Sequence, residues 1–549
     1  MDTGPAPARP THAAPLTTHA KLERMSEPWA LNRFFVIAVT LIVAVVLGSW
    51  TANGEYENLV LFAVWFGAVM VIVFVQDYWW APILVISALN FSTSVADIPL
   101  TGAEIGLFVL CLALPTKMAM KTLRKAEPEM TLSRFYWALL AYVVIHAVVI
   151  LAYNHTLGIP LKNIVKAYYS VLTSLVVYGL VIRYCHVRTV RGTVLAVFFT
   201  YFFTIVCGAI VLLTGIDVDF SSFHFSLQWL TGIGAINVLR AASPYVFIFC
   251  LAYWPAARNN FGRFALAVGI LTGAFGALIS GGRLSLANTL IAGVFFAVVR
   301  RRLWLAFPFV IFVLGASTAI SINPDITTGL PLTIQRALEP LDFSGAQTTL
   351  KEELGGSNGW HDNLRSLSIV YWLQDPNSFY LGHGFKSWDP QMNNLTGVSE
   401  ADLDHFQELA IEMGLTENMF SAITNIFGLV GLILYGCFMF HLLWMLYRGI
   451  RVTPQRTMAR ALCEFSIVNL ATSILFCPLE GSIPSGPILY WALGILAARP
   501  YLAGKLGSLV AAPAEVVVAP ERPAFARPAY AAQAAPVPPP AHRFKPRSA

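Results

Sequence analysis

Ser280-Gly281-Gly282-Arg283 interrupts an otherwise apolar stretch. Two adjacent glycines let the backbone turn tightly and approach a ligand closely. The helix expected from Leu284 points its N-terminal dipole at the same turn, so an arginine beside it makes an anion site. The residues also read as a hairpin turn with a snorkelling arginine. Arg240, just before Pro244, and Lys162 and Lys166, four apart on one helical face, stand at the entrances of other apolar runs, as anion ligands or as interfacial anchors. A diphosphate needs at least two cations, and the planar fork of arginine suits it better than lysine.

A hydrophilic stretch further on adds a second set of groups. It holds Trp360-His361-Asp362-Asn363-Leu364-Arg365, Gly382-His383-Gly384-Phe385, Asp404-His405 and Thr416-Glu417-Asn418. Trp360, Trp372 and Trp388, with Tyr371, Phe379, Tyr380 and Phe385, suit a sugar, which stacks its C–H faces on rings and offers its hydroxyls to carboxylates and amides. They suit an ordinary loop core equally well. His361, His383 and His405 lack metal-ligand spacing, so no metal site is expected. Glu417, at the start of an apolar helix, is either a partner of the helix dipole or a general base.

The elements that carry these groups are membrane-spanning. The 549 residues are 56% hydrophobic and only 12% charged, with a mean hydropathy of +0.64. Soluble domains carry about 25% charge. Apolar stretches able to cross roughly 30 Å of hydrocarbon fall near 34–51, 58–76, 79–94, 102–116, 135–152, 164–182, 194–214, 243–257, 264–280, 284–299, 303–321, 418–447, 459–477 and 485–499. These are 14 spans, or 12 and a re-entrant hairpin if the short third and fourth form one. The expected fold is an all-α polytopic membrane protein. Its parts are a cytoplasmic N-terminal segment 1–33, spans over 34–321, a large periplasmic loop 322–417, spans over 418–499, and an Ala/Pro-rich disordered cytoplasmic tail 500–549. The first span lacks a cleavage site and is not expected to be a signal peptide. With the N-terminus inside, 28 of the 36 Lys and Arg fall on the inner side and eight on the outer, as the positive-inside rule requires. The loop 322–417 carries 14 acids and four bases. A net charge of +6 does not suggest nucleic-acid binding. The seven cysteines show neither a disulfide framework nor metal spacing.

In topology and motif order the chain resembles the O-antigen ligase and O-antigen polymerase (Wzy-type) superfamily of bacterial inner-membrane glycan enzymes. The likeness runs over roughly 235–447. It rests on the Ser-Gly-Gly-Arg turn and its apolar helix, the large loop before a late span, the phrase from Arg365 through Trp372 and Pro376 to Gly382-His383-Gly384-Phe385, and Glu417-Asn418-Met419-Phe420 leading to Gly428-Leu429-Val430-Gly431. Ligases commonly have His-Asn where this chain has Glu417-Asn418, so polymerases fit better.

The resemblance implies a periplasm-facing polymerase of O-antigen or exopolysaccharide repeat units that uses no metal or nucleotide. Its donor would be an undecaprenyl-diphosphate-linked oligosaccharide and its acceptor another such unit. Candidate partners are the bilayer, a chain-length regulator and other polysaccharide export components. The charges suggest that Arg283 and Arg240, with Arg365 and Lys166, hold the donor diphosphate, and that Glu417, or failing it His383 or His405, takes the acceptor proton. A ligase that transfers finished glycan to lipid A core or protein is the nearest rival. A transporter or flippase would place charges near the midplane and show inverted repeats. Here the charges cluster at one interface, and no repeat is evident.

Overall fold

The computed structural model describes residues 78–95, 98–102, 104–107, 110, 130–159, 161–216, 225–323, 329–341, 349–386, 407, 410–411, 416, 418–479 and 487–503. The N-terminal segment, the candidate spans 34–51 and 58–76, most of 102–116, and the tail beyond 503 lie outside them. So do Glu417, His405 and Trp388, and the Trp360 side chain.

The elements are α1 (Ala81–Ala88), β1 (Phe91–Val95), β2 (Ile98–Thr101), α2 (Arg134–Thr156), α3 (Lys162–Tyr184), α4 (Val187–Thr214), β3 (Phe225–Leu227), α5 (Gly232–Tyr253), α6 (Asn260–Ile279), α7 (Arg283–Val299), α8 (Phe307–Ile322), α9 (Leu332–Leu338), α10 (Thr349–Trp372), α11 (Pro376–Leu381), α12 (Met419–Val452), α13 (Met458–Leu475) and α14 (Pro487–Ala503). Among the described residues, eight helices are long and apolar enough to cross a bilayer: α2 to α6, α8 with the turn before it, α12 and α13. α7 and α14 are apolar but shorter. The chain is thus an all-α polytopic membrane protein with a small antiparallel sheet of order β2-β1-β3.

That sheet corrects one expectation. The stretch 79–94 is not a span: α1 holds eight residues, and the chain then turns into the β1–β2 hairpin. The Phe, Thr and Val of Phe91-Ser92-Thr93-Ser94-Val95 favour an extended strand. β3, from a distant loop, pairs with β1 through Phe91–Leu227 and Thr93–Phe225.

The α5–α6 contact positions the candidate site. α6 turns Gly269, Gly273 and Gly276 towards α5, where added Cβ atoms would come within 2.5 Å of Cys250 Sγ, 2.9 Å of the Phe247 nitrogen and 2.4 Å of Ser243 Oγ. Small residues let membrane helices approach to backbone contact, which stands in for the hydrophobic force that lipid cannot supply. The antiparallel register 250–269, 247–273, 243–276 continues one step to Arg240, whose Nε donates to the Ser280 carbonyl at 3.2 Å. The glycine seam therefore delivers Arg240 to the Ser280–Arg283 turn.

Candidate functional site

Gly281 has φ +66°, a left-handed conformation that glycine adopts without strain. The Arg240 stem lies along Gly282, where a Cβ would meet its Cγ at 2.9 Å, and Ser285 Oγ donates to the Arg240 carbonyl at 3.2 Å. α9, the first described helix of the loop, sits against the other side of the turn: a Cβ on Gly281 would be 3.1 Å from the Thr333 carbonyl oxygen. Just beyond α9, Glu339 accepts from Arg283 Nη1 at 3.2 Å. The structure thus brings Arg240 and Arg283 to one turn, roofed by the loop.

The Arg283 and Glu339 side chains keep 25% and 18% of their exposure. A pair so wetted is worth closer to the about 1 kcal/mol of a surface ion pair than to a fully buried one.

The other basic candidates take different partners. Lys166 lies 3.9 Å from Glu104, whose Oε2 also accepts from the Thr101 backbone and hydroxyl at 2.8 and 2.9 Å. Arg365 donates to Asp362 Oδ1 at 2.9 Å and to the Leu479 carbonyl at 3.0 Å, which ties α10 to the end of α13. Trp372 is buried inside the loop, stacks on Phe379 and donates its indole N–H to the Phe379 carbonyl at 3.0 Å. It packs into the loop core.

Gly382-His383-Gly384-Phe385 locks the loop onto the late span. α12 is broken at Gly428, with φ 63° and ψ −167°, a region open essentially to glycine alone. The carbonyls freed by the break are taken up: the His383 and Gly384 nitrogens donate to Asn425 O and Ile426 O at 2.7 and 3.1 Å, and the Tyr142 hydroxyl donates to Phe427 O at 2.6 Å. A Cβ on Gly382 would lie 2.4 Å from Ile426 O, and one on Gly428 would lie 2.4 Å from Tyr380. The two glycines allow the backbones to cross.

The His383 ring is held inside this crossing. Nε2 meets the Tyr371 carbonyl at 3.2 Å, Nδ1 meets Ser378 Oγ at 3.3 Å, and the ring stacks on Tyr371 with centroids 4.1 Å apart. A carbonyl only accepts, so Nε2 carries a proton. Ser378 in turn donates to Asp375 Oδ2, and Asp375 caps α11 by accepting from the Asn377 and Ser378 nitrogens at 2.8 and 3.0 Å. These bonds hold the Asp375 carboxyl below the usual carboxylate range, the Ser378 hydroxyl most of all.

His146 escaped the sequence reading. It is buried on α2, its Nε2 facing the Leu381 carbonyl at 3.0 Å and its Nδ1 the Tyr168 hydroxyl at 2.9 Å. Because Leu381 can only accept, Nε2 is the protonated nitrogen and Tyr168 donates to Nδ1. The signal was an ionisable residue within an apolar span, with Tyr142 four residues earlier on the same face.

Glu417 falls between two described, buried residues. Thr416 Oγ1 has no hydrogen-bond partner among the described residues, and Asn418 caps α12 by accepting from the Ser421 nitrogen at 2.7 Å. No protein-family model matches this chain, and no curated protein matches it either.

Proposed function

We propose that the protein is a polymerase of lipid-linked polysaccharide repeat units in the bacterial inner membrane, acting on the periplasmic face with both termini in the cytoplasm. The observation that carries this reading is the Arg240–Arg283 turn, where two guanidinium-bearing residues, a glycine turn and the start of α7 share one place beneath the loop. It supports an anion subsite. The resemblance to the Wzy-type superfamily, carried by the motifs that meet here and at the α12 break, supplies the substrate class.

Arg240 and Arg283 grip the diphosphate of an undecaprenyl-linked donor, and Glu339 yields Arg283 as the lipid enters. The acceptor hydroxyl oxygen attacks the anomeric carbon from the face opposite the diphosphate. As that C–O bond forms, the bond to the phosphate oxygen breaks and its electron pair leaves on the diphosphate. The guanidinium charges offset the negative charge that grows there. Glu417 accepts the hydroxyl proton, and in-line attack inverts the anomeric centre. His383 acts as a positioning residue that holds the loop to α12.

A deletion strain separates this reading from the ligase. Loss of the protein is expected to leave single repeat units on undecaprenyl diphosphate. Accumulated long lipid-linked chains would mean ligation instead. Substrate flux through proteoliposomes with no glycosidic bond formed would mean transport.

A further inference from the structure

The opposite end of the bundle carries a second feature that the glycan reading does not use. A groove of ≈ 1170 Å³ opens between α4, α5 and α6 and the turn before α13. That exceeds the roughly 300–1,000 Å³ of ordinary small-ligand pockets. Its lining is mostly aromatic and apolar, with Phe198, Phe249, Phe261 and Phe264 among its walls, and it includes Arg191, Arg258 and Arg456 at the end where α4, α6 and α13 begin. Arg191 comes from α4, Arg258 from the α5–α6 connection and Arg456 from the α12–α13 connection, yet all line the one cavity.

Neighbouring arginines at this end are consumed by the protein. Arg300 and Arg460 donate to Glu464, each at 2.9 Å, and Arg499 donates to the Cys185 and Ile182 carbonyls. Arg191, Arg258 and Arg456 are exposed. Among the described residues no carboxylate lies within ion-pair distance of them. The first turns of α6 and α13 also contribute to the lining, through Gly262 and Met458, so two positive dipole ends border the same space.

An apolar trough closed at one end by like charges has few possible occupants in a bilayer. A neutral lipid leaves the guanidinium groups without a counter-charge, and a free anion leaves the phenylalanines unused. A lipid whose phosphate headgroup carries a net negative charge satisfies both. We propose that this groove is a binding site for an anionic, phosphate-headed membrane phospholipid, its headgroup between Arg191, Arg258 and Arg456 and its chains along the phenylalanines. The site stands apart from the Arg240–Arg283 turn and does not depend on the polymerase reading.

The test uses the full-length protein, purified in detergent, with native mass spectrometry of bound lipid and thermal unfolding as readouts. Dioleoyl phosphatidylglycerol is expected to be retained and to raise the unfolding temperature. Dioleoyl phosphatidylcholine and inorganic phosphate at the same concentration are expected to do neither. The triple variant Arg191→Ala, Arg258→Ala, Arg456→Ala changes only exposed side chains. A basic residue near an anionic headgroup is worth roughly fivefold in affinity, so the triple variant should bind phosphatidylglycerol about a hundredfold more weakly. A control variant, Arg302→Ala with Arg448→Ala, removes two exposed arginines outside the groove lining and is expected to bind like the wild type. Equal retention of the two lipids, unchanged binding by the triple variant, or equal loss in the control would overturn the proposal. A shift by inorganic phosphate alone would make this an anion site and not a lipid site.

Discussion

The two ends of the bundle handle arginine differently. At the end where α5, α7 and α12 finish, Glu464 is buried between Arg300 and Arg460, and Arg300 also donates to the Leu251 and Ala252 carbonyls at the end of α5. Arg460 reaches the Ile450 carbonyl, and Arg499 covers the last carbonyls of α3. Here guanidinium groups satisfy carbonyls that helix ends leave orphaned, and a carboxylate balances the charge. At the loop end, Arg240 and Arg283 share a glycine turn with one half-wetted carboxylate, Glu339. The first arrangement serves the fold. The second places its arginines at a partly exposed glycine turn beneath the loop.

Substitutions at the two ends should therefore fail in different ways. Glu464→Ala strands two poorly solvated guanidinium groups and is expected to cost about 3–5 kcal/mol of stability. Thermal unfolding of the purified protein checks this, and an unchanged midpoint would erase the contrast between the ends. Gly428→Ala forces a Cβ against Tyr380 at a backbone conformation that alanine resists, and is expected to cost about 1–3 kcal/mol. The cost should fall on the α11–α12 junction. Limited proteolysis should therefore cut faster near 376–386 while the remaining spans stay protected.

Glu339→Gln sharpens the comparison. With its competing carboxylate gone, Arg283 should bind the donor diphosphate more tightly, lowering the donor KM by roughly fivefold, the equivalent of about 1 kcal/mol. A raised KM would make Glu339 part of the site rather than its occupant. The smallest effect concerns acidity. The Asp375 carboxyl titrates below its unfolded value, so its support of α11 is complete above the unfolded pKa and is lost as pH falls through the lowered one. Protease protection of 376–386 should hold at mildly acidic pH and weaken only below the ordinary carboxylate range. Asp375→Asn should remove that dependence.

Much of the bundle was legible because hydropathy and helix length are local properties. Runs such as 135–152, 194–214 and 264–280 return as α2, α4 and α6, with α4 and α6 beginning seven and four residues earlier than expected. The stretch 79–94 misled because its apolar content hid a switch from helix to strand at Phe91, and β3 pairs with it from a distant loop. The break in α12 left one trace in the sequence: an apolar run of about thirty residues where about twenty suffice. Averaged hydropathy conceals a glycine at φ 63°, and only the crossing with Gly382 explains it. The Ser-Gly-Gly-Arg turn was visible as a motif. Its meeting with Arg240 depended on the glycine seam of α6, whose partners lie on another helix. The ion pair with Glu339 and the tie of Arg365 to the Leu479 carbonyl are tertiary and have no local signature, whereas His146 showed only as an ionisable residue in an apolar run.

The most direct measurement is polymer formation in liposomes that contain the purified protein and undecaprenyl-diphosphate-linked repeat units, compared for wild type, Arg240→Ala, Arg283→Ala and the double variant. If the two side chains grip one diphosphate, each single change should slow turnover by about 10²–10³. The double variant should then be little slower than the worse single, because both changes remove the same grip. Wild-type rates from a correctly folded double variant would contradict the account.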